Sequence, residues 1–377
     1  MAKPTHYTTA FHPKTLVIVV QAPYNTVTDM RGYFDEFLHL VRSNGIEFDA
    51  VKEVKLRSVD NTAFFTKGKL EEIVEMCRHE QFEEVILSEQ LSVRQERTLS
   101  EMLQVKLFDR TMLILEIFEK RATSAEGKIQ VQMARLRYTK SRLAGRGIHL
   151  SQQGGLVGTR GPGETQKARD IEHVEHLLNR LRRELASIER SRATQRKRRL
   201  NKQEKLICLV GYTNAGKSSI LNALTKSDVI AEDQLFSTLD TTTRELYIKG
   251  VKCGLLSDTV GFIQQLPHQL LDAFKSTLHE LKFAHLILHV VDASDPNWKS
   301  HLAVVNTILE EIGIAKPMAY VFNKVDKLTA EERLALTPYL PIDAPIIMNS
   351  VRAGKKGLSD LEDFLHAWSH ESAPSPS

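Results

Sequence analysis

The chain has 377 residues, of which 42% are hydrophobic, 26% charged and 7% aromatic, an ordinary globular composition with room for two to three domains and their cores. No apolar run reaches the roughly 18 residues a membrane span needs, and Cys77, Cys208 and Cys253 are too scattered for a zinc ribbon or a disulfide framework. Net charge is +4, but residues 116–205 hold 22 Lys/Arg against 10 Asp/Glu, a local +12 that leaves −8 elsewhere and marks a surface for a polyanion.

The polar stretch Met1 to Lys14 has no apolar core behind a basic start, so no secretory signal is expected, and reduced cysteines fit a cytoplasmic location. Leu16–Val20 reads as a buried strand bounded by Pro13 and Pro23. Asp29 to Asn44 reads as a helix with Phe34, Phe37, Leu38 and Val41 inward and Gly45 as its stop. Phe48 to Leu56 is a second strand. Lys69 to His79 is a helix with Leu70, Ile73 and Val74 inward, and Glu84–Ser88 a third strand. Ser92 to Gln104 is a helix with Ser92 as N-cap and Gln95 three residues on. Val105–Phe108 is a last short strand. Strands alternating with helices predict a parallel α/β domain over 14–111.

Residues 112–145 predict one long helix, with Ile129, Met133, Leu136 and Leu143 on one face. Residues 164–200 predict a second, on which Ile171, Val174, Leu178, Leu181, Leu185 and Ile188 form a coiled-coil seam. Joined by a Gly-rich loop, the two imply a basic antiparallel helical hairpin over 112–204.

Residues 205–370 alternate again: strands at Leu206–Val210, Glu245–Lys249, Lys252–Ser257, Leu286–Val291, Met318–Phe322 and Ile346–Met348, with a helix from Gly216. The tail 371–377 is polar and Pro-rich and is expected to be disordered.

Three motifs follow strands in the last segment. Gly211-Tyr212-Thr213-Asn214-Ala215-Gly216-Lys217-Ser218 fits GxxxxGK[ST], in the strand-to-helix context that motif requires. Its backbone N–H groups and helix N-terminus suit phosphate, Lys217 brings a charge to the terminal phosphates, and Ser218 offers a hydroxyl to Mg²⁺. Asp258-Thr259-Val260-Gly261 places a carboxylate for the Mg²⁺ shell and a backbone N–H for a γ-phosphate. Asn323-Lys324-Val325-Asp326 places a carboxylate that accepts from guanine N1 and N2, a donor pair adenine lacks. The three in order predict a P-loop site for GTP. Phe262, directly after Gly261, can neither donate nor accept a hydrogen bond, so intrinsic hydrolysis is expected to be slow. Gln264 and Gln265 are nearby substitutes that the sequence alone does not position.

These motifs resemble a translation-factor-class GTPase domain. The resemblance implies that Ser350-Val351-Arg352 backs the base, with Val351 where Ala is usual. It implies that Phe236-Ser237-Thr238-Leu239-Asp240 is the switch segment whose Thr238 ligates Mg²⁺ beside Ser218, and that Lys217, Thr238 and Gly261 serve catalysis. Asn214 matches an asparagine that in related GTPases helps hold K⁺.

The loop Gly154-Gly155-Leu156-Val157-Gly158-Thr159-Arg160-Gly161-Pro162-Gly163-Glu164-Thr165-Gln166 contains RGPGETQ just before a helix, and closely resembles the signature of HflX-type GTPases, relatives of the Obg group. Thr66–Ile73, Phe108–Ile117 and Glu126–Val131 resemble the same family upstream, so the likeness runs over about 14–368. It implies a GTPase that binds the 50S subunit and its rRNA and, with GTP, dissociates or rescues ribosomes. The alternatives are an assembly factor that docks on rRNA without splitting subunits, and a switch acting on a protein partner. The protein is expected to be a cytoplasmic monomer, with peripheral membrane contact as a variant. Two departures stand out. The loop is about one residue longer before RGPG than usual, and the chain stops soon after the G domain, where many bacterial members continue.

Other residues read more plainly. His173 and His176 form a surface face, His285 and His289 are packing or edge residues, and Trp298 and Trp368 pack helices. Arg196–Arg199 is a solvated hinge positioned to touch RNA.

Overall fold

In a computed structural model of the chain, the described residues are 12–25, 29–145, 162–201, 204–226, 235–236, 238–239, 241–265, 278, 280–336 and 344–371. They fall into two compact units, residues 1–116 with 141–161 and residues 117–140 with 162–377.

In the first unit the apolar runs become parallel strands: β1 (Thr15–Gln21), β2 (Ala50–Lys55), β3 (Glu84–Leu87) and β4 (Lys106–Phe108), in the order β2-β1-β3-β4. Helices α1 (Met30–Ser43), α2 (Lys67–Glu80) and α3 (Val93–Leu103) connect them. The expected Ser92/Gln95 capping box closes the start of α3. The inward face of α1 is turned from the expected one. Tyr33, Phe37, Leu40 and Val41 are buried, while Phe34 and Leu38 are half-buried. A polar anchor goes with the turn: the Tyr33 hydroxyl donates to buried Glu89 Oε1 at 2.9 Å, which binary patterning does not register.

The long helix expected over 112–145 is two helices, α4 (Arg110–Arg121) and α5 (Ala125–Gly145). Thr123 and Ser124 interrupt it, and Ser124 Oγ accepts from Gly127 N at 2.9 Å, so a local cap replaces helical continuity. Near the end of α5, within the first unit, Arg142 is nearly buried. It pairs with Glu96 at 2.7 Å and Asp109 at 2.8 Å, and donates to Leu91 O at 2.9 Å.

In the second unit α5 and α6 (Pro162–Asn201) run antiparallel, as the ion pairs Glu126–Arg192 (2.8 Å) and Lys140–Glu175 (2.6 Å) require. Val174, Leu178 and Leu181 of the expected seam are buried and Ile171, Leu185 and Ile188 half-buried. On α5 the buried apolar side chains are Val131, Met133, Ala134 and Tyr138, of which only Met133 belongs to the expected face. The loop 154–161, Ser237, Asp240, the tail 372–377 and the side chains of Arg196–Arg199 lie outside the described residues.

The remaining strands are β5 (Leu206–Gly211), β6 (Thr242–Ile248), β7 (Val251–Asp258), β8 (Leu286–Asp292), β9 (Met318–Asn323) and β10 (Ile346–Met348). They form one sheet in the order β10-β9-β8-β5-β7-β6, parallel except that β6 pairs antiparallel with β7. Helices α7 (Lys217–Thr225), α8 (Trp298–Glu311), α9 (Ala330–Leu336) and α10 (Lys355–Glu371) complete it. Ile207, Leu209, Leu256, Leu288 and Val321 pack with Ile220 and Leu221 of α7 and Leu361 and Leu365 of α10. His285 Nδ1 accepts from Leu206 N at 2.9 Å, and His289 is buried in the sheet, its pKa pushed down to about 3 by burial. Trp298 meets Phe322 edge-on, and half-buried Trp368 packs on the core. The architecture is therefore α/β: a parallel N-terminal domain, a helical hairpin and a C-terminal P-loop domain. The parallel strands of the last domain deliver residues 211–218, 258–262, 323–326 and 349–352 to one edge, where such sheets bind ligands.

Candidate nucleotide site

The loop from β5 to α7 is tightly constrained. Gly216 has φ +96, and a Cβ there would collide with Asn323 Nδ2, so only glycine fits. Asn214 also adopts a left-handed φ of 60°. Lys217 is buried, and its Nζ donates to Gly211 O at 3.1 Å and Tyr212 O at 2.8 Å. Burial pushes its pKa down to about 8; Asp258 opposes the shift and Lys324 adds to it.

Three oxygens meet beside α7. Ser218 Oγ lies 2.6 Å from Asp258 Oδ2 and 2.6 Å from Thr238 Oγ1, and the Thr238 side chain also bonds Asp258. Asp258 is fully buried, which raises its pKa, and its Oδ1 has no hydrogen-bond partner among the described residues. Thr259 turns away, donating to Leu209 O at 2.7 Å, and Val260 is buried. Gly261 presses on the P-loop: a Cβ there would stand 2.8 Å from Thr213 Cγ2 and 3.0 Å from Lys217 Nζ.

The segment after Asp258 is stitched to the P-loop by backbone. Thr213 N donates to Phe262 O at 2.7 Å and Phe262 N to Gly211 O at 3.2 Å. Phe262 is buried. The Tyr212 hydroxyl accepts from Gln264 N at 2.7 Å, and the Tyr212 ring stacks on His301 with centroids 3.7 Å apart. Gln264 is buried with its amide toward Ser300 Oγ, whereas Gln265 is exposed.

The 323–326 turn is locked to both neighbours. Asn323 Nδ2 donates to Ala215 O at 2.9 Å, and its Oδ1 accepts from Asn349 at 3.0 Å. Lys324 has φ +63, donates to Asn214 O at 2.8 Å and pairs with Asp292 at 2.7 Å. Val325 is buried, and its carbonyl takes two bonds from Arg333. Asp326 is exposed, with Oδ1 held by the Ser350 hydroxyl at 2.6 Å. Half-buried Val351 packs on the core and Arg352 is exposed. Leu239 is buried, and Phe236 points its buried ring at Phe118 of α4. Asn349, Asp292, Tyr212's hydroxyl, His301 and Arg333 are supporting residues that no motif announces; Asn349 alone carried a signal, its place just before Ser350 at a strand end.

A parallel sheet delivering a P-loop, a DxxG segment and an NKxD turn to one edge defines a P-loop GTPase. Family models match residues 31–119 as GTP-binding GTPase N-terminal, 121–199 as GTP-binding GTPase Middle Region and 206–324 as 50S ribosome-binding GTPase. The chain is 42% identical over 314 residues to GTPase HflX of Caldanaerobacter subterraneus subsp. tengcongensis, covering 83% of this chain and 72% of that one. It is 40% identical over 356 residues to GTPase HflX of Flavobacterium psychrophilum (94% and 83%), and 41% identical over 294 residues to that of Escherichia coli strain K12 (78% and 69%). It belongs to the HflX GTPases, and it is a GTP hydrolase. Among solved structures, a GTP-binding protein from Sulfolobus solfataricus in complex with GDP matches 96% of this chain and 100% of that one at 24% identity, TM-score 0.48. No described helix is long and apolar enough to cross a membrane, and no metal-binding group of three or more His, Cys, Asp or Glu occurs among the described residues.

Proposed function

We propose that this GTPase docks on the large ribosomal subunit through rRNA and, in its GTP state, dissociates or rescues ribosomes. The observation that carries the reading is the outer face of α6. Opposite the buried Val174, Leu178 and Leu181, the side chains of Arg180, Arg182, Arg183 and Arg190 are exposed. Such a face suits a phosphate backbone, with affinity that falls steeply with salt. The family description of residues 206–324 as a 50S ribosome-binding GTPase supports the same partner.

At the site, the P-loop amides and Lys217 hold the phosphates, Gly261 N–H faces the γ-phosphate, and Asp326 reads guanine with Ser350–Arg352 behind it. Ser218 and Thr238 would hold Mg²⁺, with the Asp258 carboxylate beside them. The fit rests on the 2.6 Å oxygen cluster and on Asp258 Oδ1, a buried carboxylate oxygen without a partner among the described residues. When bound, the cation neutralises phosphate charge. Phe262, buried and bridged to the P-loop, cannot orient water, so intrinsic turnover is slow and a partner must help. Turnover should therefore rise at least about tenfold with 50S particles, and 70S incubated with a non-hydrolysable GTP analogue should split on a sucrose gradient. No stimulation by 50S defeats the reading, and stimulation without splitting selects the assembly-factor alternative. The same assay in K⁺ and in Na⁺ reads the role proposed for Asn214.

Lys217 gives a pH test. The phosphates need its ammonium form, and burial brings deprotonation down to about 8. Nucleotide binding above that pH must take up a proton. GDP affinity should be flat below pH 7 and weaken between pH 8 and 9 by up to about tenfold. The nucleotide-free fold moves oppositely: a folded-state pKa below the unfolded value makes stability rise with pH across that window. A flat affinity profile to pH 9 would show that Lys217 is not the phosphate ligand.

A further inference from the structure

The segment around the switch threonine is held at both ends. At one end Thr238 sits in the oxygen cluster with Ser218 and Asp258. Two residues earlier Phe236 is 2% exposed and has φ +58, a left-handed backbone that bulky side chains rarely adopt. Such strain persists only where the surroundings enforce it, and it gathers at switch segments. What encloses Phe236 includes Phe118, a fully buried residue of α4, whose ring meets it edge-to-face with centroids 4.6 Å apart and planes at 83°. Leu235 and Leu239 are buried on either side. The helical region has a second attachment to the G domain: Arg192 of α6 bridges Glu126 of α5 (2.8 Å) and Glu280 (3.8 Å), which opens the short turn before β8.

We propose that Phe118 is a positioning residue for Thr238, acting through Phe236. Its ring keeps Phe236 in the strained conformation that sets Thr238 against Ser218 and Asp258. Without it the backbone at Phe236 relaxes toward negative φ and Thr238 withdraws. That withdrawal costs nothing when only GDP is bound, because the switch threonine serves the triphosphate state. The contact therefore sets the preference for triphosphate over diphosphate, and lets α4 register which is bound. This rests on reading Thr238 as the switch threonine.

Affinities of mant-GDP and a non-hydrolysable mant-GTP analogue, each in Mg²⁺, test it on the full chain. Phe118→Ala should weaken the triphosphate analogue about five- to tenfold, leave mant-GDP within about twofold, and lower kcat more than it changes KM for GTP. Phe118→Leu, which keeps apolar volume, should fall between. Phe118→Ala combined with Phe236→Ala should lose no more than the worse single variant, the non-additivity of a direct contact. Equal losses for both nucleotides, no loss, or additive losses would each overturn the proposal. Thr238→Ala separates the two premises. If it leaves triphosphate preference intact, the reading of Thr238 is wrong. If it abolishes the preference while Phe118→Ala does not, only the role of Phe118 fails.

Discussion

Lys217→Ala should abolish nucleotide binding at micromolar concentrations while leaving the protein folded. The ammonium is the charged donor proposed for the terminal phosphates, and charge-assisted bonds are worth roughly 1.5–3 kcal/mol each. Losing two of them predicts a weakening on the order of 10²- to 10⁴-fold. The fold should tolerate the change because Lys217 is costly to bury, as its pKa of about 8 records. Removing it releases Gly211 O and Tyr212 O from their Nζ bonds, and in return the domain no longer shelters a charge from water. Thermal unfolding should therefore show an unchanged or raised midpoint without nucleotide, and no shift on adding GDP. A variant that still gains stability from GDP would mean that phosphate is held chiefly elsewhere in the loop.

Asp326→Asn should exchange guanine for xanthine. Oδ1 of the carboxylate accepts from the Ser350 hydroxyl at 2.6 Å, and the other oxygen is the one proposed to meet the base. In the variant Ser350 can keep its bond to the amide oxygen. That orients the amide N–H₂ toward the base, where it meets the xanthine C2 carbonyl and clashes with the guanine amino group. A site built around a polar pair rejects the mismatched partner by roughly 10²- to 10⁴-fold. GTP turnover should fall by about that factor, and XTP turnover should rise to replace it. Ser350→Ala would weaken both bases without exchanging them. Asp326→Asn with undiminished GTP preference would place base recognition outside this turn.

How much of this was legible follows from distance along the chain. The phosphate loop, the Asp258–Gly261 segment and the 323–326 turn are contiguous motifs, and each lies at the strand end where the apolar runs put it. Their supports come from afar. Asn349 meets Asn323, Asp292 meets Lys324, and Tyr212 reaches Gln264 and His301, all contacts that only the sheet order β10-β9-β8-β5-β7-β6 creates. Helix faces show the same limit. The α6 seam follows its heptad at Val174, Leu178 and Leu181, whereas α5, packed on the same helix, buries only Met133 of its expected face, and α1 turns about one residue toward Glu89, a polar anchor that an apolar pattern does not encode. The break at Thr123 and Ser124 is local chemistry in plain sight, yet without proline or glycine it does not interrupt the apolar period.

The side chains of Asn323 and Lys324 grip the carbonyls of Ala215 and Asn214, and the bare Cα of Gly216 lets Asn323 come that close. The turn proposed to read the nucleobase and the loop proposed to grip the polyphosphate are thus two jaws of one calliper, bolted rather than hinged. Ligand selection then acts on span as well as on chemistry: a guanine carrying too short a tail leaves one jaw unfilled, and the other cannot slide in to meet it. Swapping base specificity by transplanting the 323–326 turn from another GTPase would disturb the phosphate jaw as well, whereas the single exchange at Asp326, whose carboxylate stands clear of those bolts, leaves the frame alone.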